Sequence, residues 1–148
     1  MGLLNRLRDA GEELPGAAWL VSPWTDLTMS GATLATKDAV DPLIHKGYLG
    51  ELAEAYLPAG MDHQDPRVSV LYADLHGLPP TLIQVGSAET LLDDSTRFAA
   101  AAGAADVPVT LEIWPHMIHA FHLWNARLEP ARRALANAGA FIRRELEN

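Results

Sequence analysis

The sequence contains no cysteine, which removes disulfide frameworks and thiolate metal sites and leaves the redox compartment open, the cytoplasm included. It is also short of positive charge: 11 Lys and Arg stand against 19 Asp and Glu, a net charge of −8. Without a basic patch to release counterions, nucleic acid and anionic membrane surfaces are poor partners. No apolar run approaches the roughly 20 residues that a membrane span requires. Met1–Asp9 carries basic residues but no apolar core behind them, so it is not a signal peptide and reads as an amphipathic helix. Neither a phosphate loop nor a dinucleotide fingerprint occurs. No repeat or low-complexity linker divides the chain.

What remains is 148 residues, 49% hydrophobic and 20% charged, the size and balance of one α/β domain with a single core. Leu3, Leu4 and Leu7 share a helical face that ends at Gly11 with no capping residue in front, like the last turns of a longer helix. Ala17–Val21 is an unbroken apolar run, expected to be a strand buried on both faces of a parallel sheet. Ser22-Pro23-Trp24-Thr25-Asp26-Leu27-Thr28 follows as a loop, and residues 29–40 continue it. Asp41-Pro42 has the form of an N-cap with proline at the first helical position, predicting an amphipathic helix through Leu43, Ile44, Leu49, Leu52 and Tyr56. Met61–Gly77 reads as a long irregular segment, and such segments in compact domains usually cover something.

The chain is organised around residues 79–122. An apolar run, Thr81–Val85, ends in Gly86-Ser87, then Glu89 and Asp93-Asp94 head an alanine-rich helical pattern over about 91–104. A second apolar run over 107–114 ends in Pro115-His116-Met117-Ile118-His119-Ala120-Phe121, with a short helix near 118–125 and a last one over about 128–146. Three strands alternating with helices predict a thin parallel sheet. A crossover between successive strands can bring a carboxylate at one strand end beside an imidazole at the next, and such a pair polarises a nucleophile in acyl transfer.

Each of these residues also has a plainer explanation. His119 can cap the helix that begins beside it, and its ordinary pKa near 6.5 permits general-base work without requiring it. Asp93 and Asp94 suit the first turn of a helix through the macrodipole alone. Glu89 sits earlier, in the turn where an orienting carboxylate belongs. His116, His119 and His122 are spaced i, i+3, i+6, which does not bring three ligands to one helical face, so no metal site is expected. His45 and His63 read as surface residues and His76 as a loop residue. The nucleophile is missing: none of Ser22, Ser30, Ser69, Ser87 and Ser95 lies in the Gly-x-Ser-x-Gly elbow of an α/β serine hydrolase.

These segments together resemble the C-terminal part of a hormone-sensitive-lipase-type (family IV) esterase of the α/β-hydrolase fold. The likeness runs through Ser22–Thr28, Asp65-Pro66-Arg67-Val68-Ser69, Leu71–Leu75, Leu78–Gly86, Leu91–Asp94 and Trp114–Phe121. Val70 departs from the proline usual in the family, a matter of loop rigidity. The resemblance implies that His119 is the base of a Ser-acid-His triad and that its acid lies about thirty residues upstream. In many members that acid is the aspartate of Asp-Pro-Leu-Arg-Asp; laid on this sequence it falls at Glu89, a position where related members carry glutamate, with Asp93 as the fallback. The cap segment, the His-Gly-Gly oxyanion loop and the nucleophile elbow would precede Met1.

The expectation is therefore one partial α/β-hydrolase domain over 1–148, with about three parallel strands, flanking helices and the 28–75 region lying over the active-site face. The implied activity is hydrolysis of small-molecule carboxylic esters of short or medium acyl chain, with no cofactor, and the isolated chain is expected to be inactive. The implied partners are the missing N-terminal half and, since related esterases often pair through their last strand and helix, a second copy joined through 107–114 and 128–146. The alternative is a non-catalytic interaction or dimerising module derived from an esterase.

Overall fold

A computed structural model describes residues 1–147. Three strands, β1 (Ala18–Val21), β2 (Thr81–Gly86) and β3 (Val109–Trp114), form one sheet in that order, every pairing parallel. Leu20 lies beside Ile83 and Ile83 beside Leu111. All six residues of β2 are buried, as its continuous apolar run predicts for a central parallel strand. β1 departs from the expectation of burial on both faces: its four residues are only half-buried, because β2 flanks it on one side and the described residues supply no strand on the other.

Side-chain alternation along β2 divides the core. Ile83 packs with Phe98, Ala99 and Ala102 of α4 (Leu92–Ala104), with Leu75, Leu78 and Val107 from the flanking loops, and with Leu4 of α1 (Gly2–Asp9). Leu82 turns to the opposite face, against Ala138 and Phe141 of α5 (Glu129–Leu146) and Trp19 of β1. The alanines along α4 and α5 keep both helices close to the sheet, and Phe98, fully buried, contributes about 2–3 kcal/mol through the area it removes from water.

The segment between β1 and β2 differs from expectation in two places. Residues 29–40 contain one helical turn, α2 (Thr33–Thr36). The helix expected from Asp41-Pro42 begins instead at Lys46, as α3 (Lys46–Tyr56), with His45 at its N-cap. The Asp41 carboxylate does cap backbone: it accepts from the N–H groups of Leu43 and Ile44 and, from its other oxygen, the N–H of Thr90 at 3.0 Å. That third bond ties the segment to the turn after β2, so an aspartate with the sequence signature of a helix cap serves a tertiary contact. Leu34, Leu49 and Leu91 pack together at the same place. The 61–77 stretch contains one 3₁₀ turn, Val70–Tyr72, and is pinned through Ser69, whose Oγ accepts from the Leu27 N–H and donates to the His63 carbonyl.

Candidate active site

The site is assembled by two loops that leave the same end of the sheet. After β2 the chain turns through Ser87–Leu91; after β3 it turns through Pro115–Ala120 into a 3₁₀ turn, Phe121–Trp124, where a short helix was expected. Backbone bonds join the loops: Ser87 N–H donates to the Trp114 carbonyl and Ala88 N–H to the Met117 carbonyl, each at 2.9 Å. Ser87 Oγ accepts the N–H of His116. Gly86 makes the approach possible, since a β-carbon there would lie 2.0 Å from the Met117 carbonyl oxygen.

Glu89 projects from the first loop and is fully buried. One carboxylate oxygen, Oε2, accepts from the Gly86 N–H at 2.7 Å and the Ser22 hydroxyl at 2.9 Å. The other, Oε1, lies 3.4 Å from Nδ1 of His119, whose side chain is 23% exposed. Oε1 and Nδ1 are both buried and have no other hydrogen-bond partner. The separation exceeds a well-formed N–H···O bond, as is common for catalytic pairs before substrate binds. A carboxylate facing Nδ1 favours a proton on that nitrogen and leaves Nε2 as an acceptor, the tautomer a general base needs.

The remaining candidates are engaged elsewhere. The Asp93 carboxylate accepts the N–H of Ala32 at 2.7 Å, which anchors the start of α2. Asp94 is buried, and Oδ2 accepts from the N–H groups of Thr25 and Asp26. Burial pushes its carboxyl up to about 6, against the downward pull of those donors. Burial acts in the same direction on Asp26, but hydrogen bonds from Ser30, Thr28 and Arg97 outweigh it and hold that group at about 2. Asp26 thus organises the 25–30 loop through side-chain bonds, beyond the turn role its sequence context indicates.

The three closely spaced histidines diverge. His116 is exposed; His122 is buried on the α5 side of the sheet, with Nε2 3.0 Å from Gln84 Oε1, and burial lowers its pKa. Among the described residues no group of three or more His, Asp or Glu side chains is placed to hold a metal ion. His45 and His76 are exposed, while His63 is half-buried with Nδ1 3.1 Å from the Leu27 carbonyl.

Each serine hydroxyl also has a partner away from the imidazole: Ser22 on Glu89, Ser30 on Asp26, Ser69 on His63, Ser87 on the His116 amide and Ser95 on the Leu91 carbonyl. A cleft of about 610 Å³ between α1 and the 66–74 segment is lined by Asn5, Arg6, Arg8, Tyr56 and Arg67, and Glu89 and His119 are not among its residues. The sequence reading missed the part played by Ser22 and Gly86. In the sequence Ser22 is a loop serine outside any nucleophile elbow, and nothing local signals that a residue before proline will sit at a left-handed φ of 44°.

A parallel sheet with flanking helices is the arrangement found in α/β hydrolases, and comparison with known proteins agrees on that fold. Residues 1–123 match a family model described as the alpha/beta hydrolase fold, and the chain belongs to that family. It is 48% identical over 140 residues to an acetyl-hydrolase of Streptomyces hygroscopicus, a match covering 95% of this chain and 46% of that protein. An esterase of Acinetobacter venetianus is 40% identical, with the same coverage. Among solved structures, an esterase of the bacterial hormone-sensitive lipase family superposes with a TM-score of 0.94 at 40% identity, over 97% of this chain and 48% of that one. A hormone-sensitive lipase from a metagenome library gives 0.93 at 37% identity, over 97% and 49%. The chain thus spans about half the length of the relatives it matches. No helix among the described residues is long and apolar enough to cross a membrane.

Proposed function

We propose that this chain supplies the acid and the base of a serine carboxylic-ester hydrolase, with Glu89 holding His119 and the nucleophile elbow and oxyanion loop contributed by protein outside these 148 residues. The observation that carries the reading is the facing of Glu89 Oε1 and His119 Nδ1, two buried atoms with no other partner. The names of the relatives, acetyl-hydrolase and esterase, support the reaction class. In this scheme Nε2 of His119 takes the proton from a serine as it attacks the ester carbonyl, then returns it to the leaving alcohol. Glu89 stabilises the imidazolium in between, without itself becoming protonated. Substrates are small esters of short or medium acyl chain. The mechanism needs no cofactor, and a cytoplasmic location belongs to the same reading. In the same reading the 28–75 region overlies the active-site face, which the Asp41–Thr90 bond to the Glu89 turn supports.

The test is an assay of the purified chain on a short-chain chromogenic ester beside His119→Ala. Neither protein is expected to turn over, because a triad acts as a unit and loses most of its catalysis with any member. Adding the N-terminal half of a relative in trans is expected to produce activity that His119→Ala abolishes. Hydrolysis by the chain alone, abolished by His119→Ala, would overturn the assignment and direct attention to Ser87.

A second reading, an association module, is favoured by one observation. Among the described residues β3 is an edge strand, and Ile113 on it is 45% exposed. Unpaired apolar edges recruit another chain. A homodimer joined through β3 and α5 would appear in light scattering and be lost in Ile113→Lys; a monomer at all concentrations rules it out.

A further inference from the structure

Ser22 stands between the two loops of the site and bonds to both. Its hydroxyl donates to Glu89 Oε2 at 2.9 Å and accepts the backbone N–H of Ala120, the residue after His119, at 3.1 Å. The residue is 3% exposed, so water does not compete for these bonds. Both ends of the contact are backbone-strained: Ser22 has φ 44° and Ala120 φ 49°, left-handed values that non-glycine residues rarely adopt and that persist where surrounding contacts enforce them. The strain at Ser22 is greater because Pro23 follows it, and a residue before proline is driven toward extended backbone. Ser22 is itself fixed at the end of β1, where its N–H donates to the Gln84 carbonyl at 2.8 Å.

We propose that Ser22 is a positioning residue for the acid–histidine pair, an inference that rests on the reading of Glu89 and His119 given above. Two bonds fix Oε2 of Glu89, one from the Gly86 amide and one from Ser22. With both in place the rotation of the carboxylate is restrained, and Oε1 is left facing Nδ1. The same hydroxyl holds the Ala120 amide and hence the histidine loop, so the two halves of the pair are set against one common atom, Ser22 Oγ. Removal of the hydroxyl leaves Glu89 with a single anchor and Ala120 N–H without its acceptor.

The signature is the tautomer of neutral His119, read by long-range ¹⁵N–¹H correlation on the 148-residue chain at a pH where the ring is uncharged. The chain, with Nδ1 facing a carboxylate, is expected to show His119 with its proton mainly on Nδ1. Ser22→Ala keeps the β-carbon and the backbone demand, and Ser22→Gly relieves that demand; both lack the hydroxyl. In both, the ratio of Nδ1–H to Nε2–H forms is expected to fall by roughly tenfold, the scale of one lost hydrogen bond to a charged group. Backbone amide shifts away from the two loops should hold. Retention of the wild-type ratio in Ser22→Gly would overturn the role of the hydroxyl, even if Ser22→Ala lost it. Glu89→Gln separates the two levels of inference. If it shifts the tautomer while the Ser22 variants do not, the pair stands and the positioning role falls; if it leaves the tautomer unchanged, the pair itself falls and Ser22 has nothing to position.

Discussion

A β-carbon on Gly86 would lie 2.0 Å from the carbonyl oxygen of Met117 and 2.5 Å from its carbonyl carbon. The end of β2 and the histidine loop approach as closely as glycine allows. Gly86→Ala must displace backbone, because no side-chain rotation relieves the contact. We expect a loss of about 3 kcal/mol or more, at the upper end for overpacked sites. Urea denaturation measures it, and an unchanged midpoint would show that the loops are not held in this contact.

Gln84 makes four side-chain bonds in the middle of the buried central strand. Its Oε1 accepts from Trp19 Nε1 and lies 3.0 Å from His122 Nε2, while its Nε2 donates to Glu112 and to the Ala134 carbonyl. Gln84→Leu is close in volume but strands these partners, a loss of about 2–4 kcal/mol. Ile83→Val, on the opposite face of the same strand, should lose only about 0.5–1.5 kcal/mol. Equal losses in thermal denaturation would mean that the α5 side of the sheet is held by apolar burial alone.

Asp94 and Asp26 impose opposite pH dependences. Asp94, raised to about 6, binds a proton more tightly in the folded than in the unfolded chain, where carboxyls titrate near 4. Its contribution to stability is therefore present below about pH 4 and lost as pH rises to about 6. Asp26, lowered to about 2, contributes above pH 4 and loses that contribution as pH falls. Asp94→Asn preserves an oxygen for the Thr25 and Asp26 amides and removes the titration. The unfolding free energy should decline from pH 4 to 7 in the wild type, by on the order of 2–3 kcal/mol from this group, and much less in Asp94→Asn. Parallel curves would sink the assignment.

Asp41→Ala removes the acceptor for Leu43, Ile44 and Thr90 amides at once, in a site that is only 1% exposed. We expect about 2–4 kcal/mol of destabilisation. Cleavage around residues 41–46 in limited proteolysis should accelerate, because the segment would lose its bond to the Glu89 turn. Cleavage at the wild-type rate would mean that the Leu34–Leu49–Leu91 contact holds the segment unaided.

The three strands in their order, the helices α4 and α5, the buried central strand at Thr81–Gly86 and the acidic turn and histidine loop after successive strands were legible in the sequence, whereas α2 was not. These follow from local causes: continuous apolar runs, proline and glycine punctuation, and alanine-rich helical periodicity. Its local signals misled where a tertiary partner prevailed. Asp41-Pro42 has the residues of a helix start, yet Thr90 claims the aspartate and α3 begins at Lys46. Ala17–Val21 is apolar enough for a strand covered on both sides, yet its burial depends on neighbours that the run itself does not encode. The sequence places Glu89 in the turn ahead of α4 and Asp93 and Asp94 in its first turn, but no local signal turns any of the three toward His119. Only the close approach at Gly86 and the bonds from Ser22 turn Glu89 toward the imidazole, while Asp93 and Asp94 are taken by Ala32, Thr25 and Asp26. A hydrogen bond across 67 residues leaves no local trace in the sequence, because its geometry exists only once both strands are paired in the sheet.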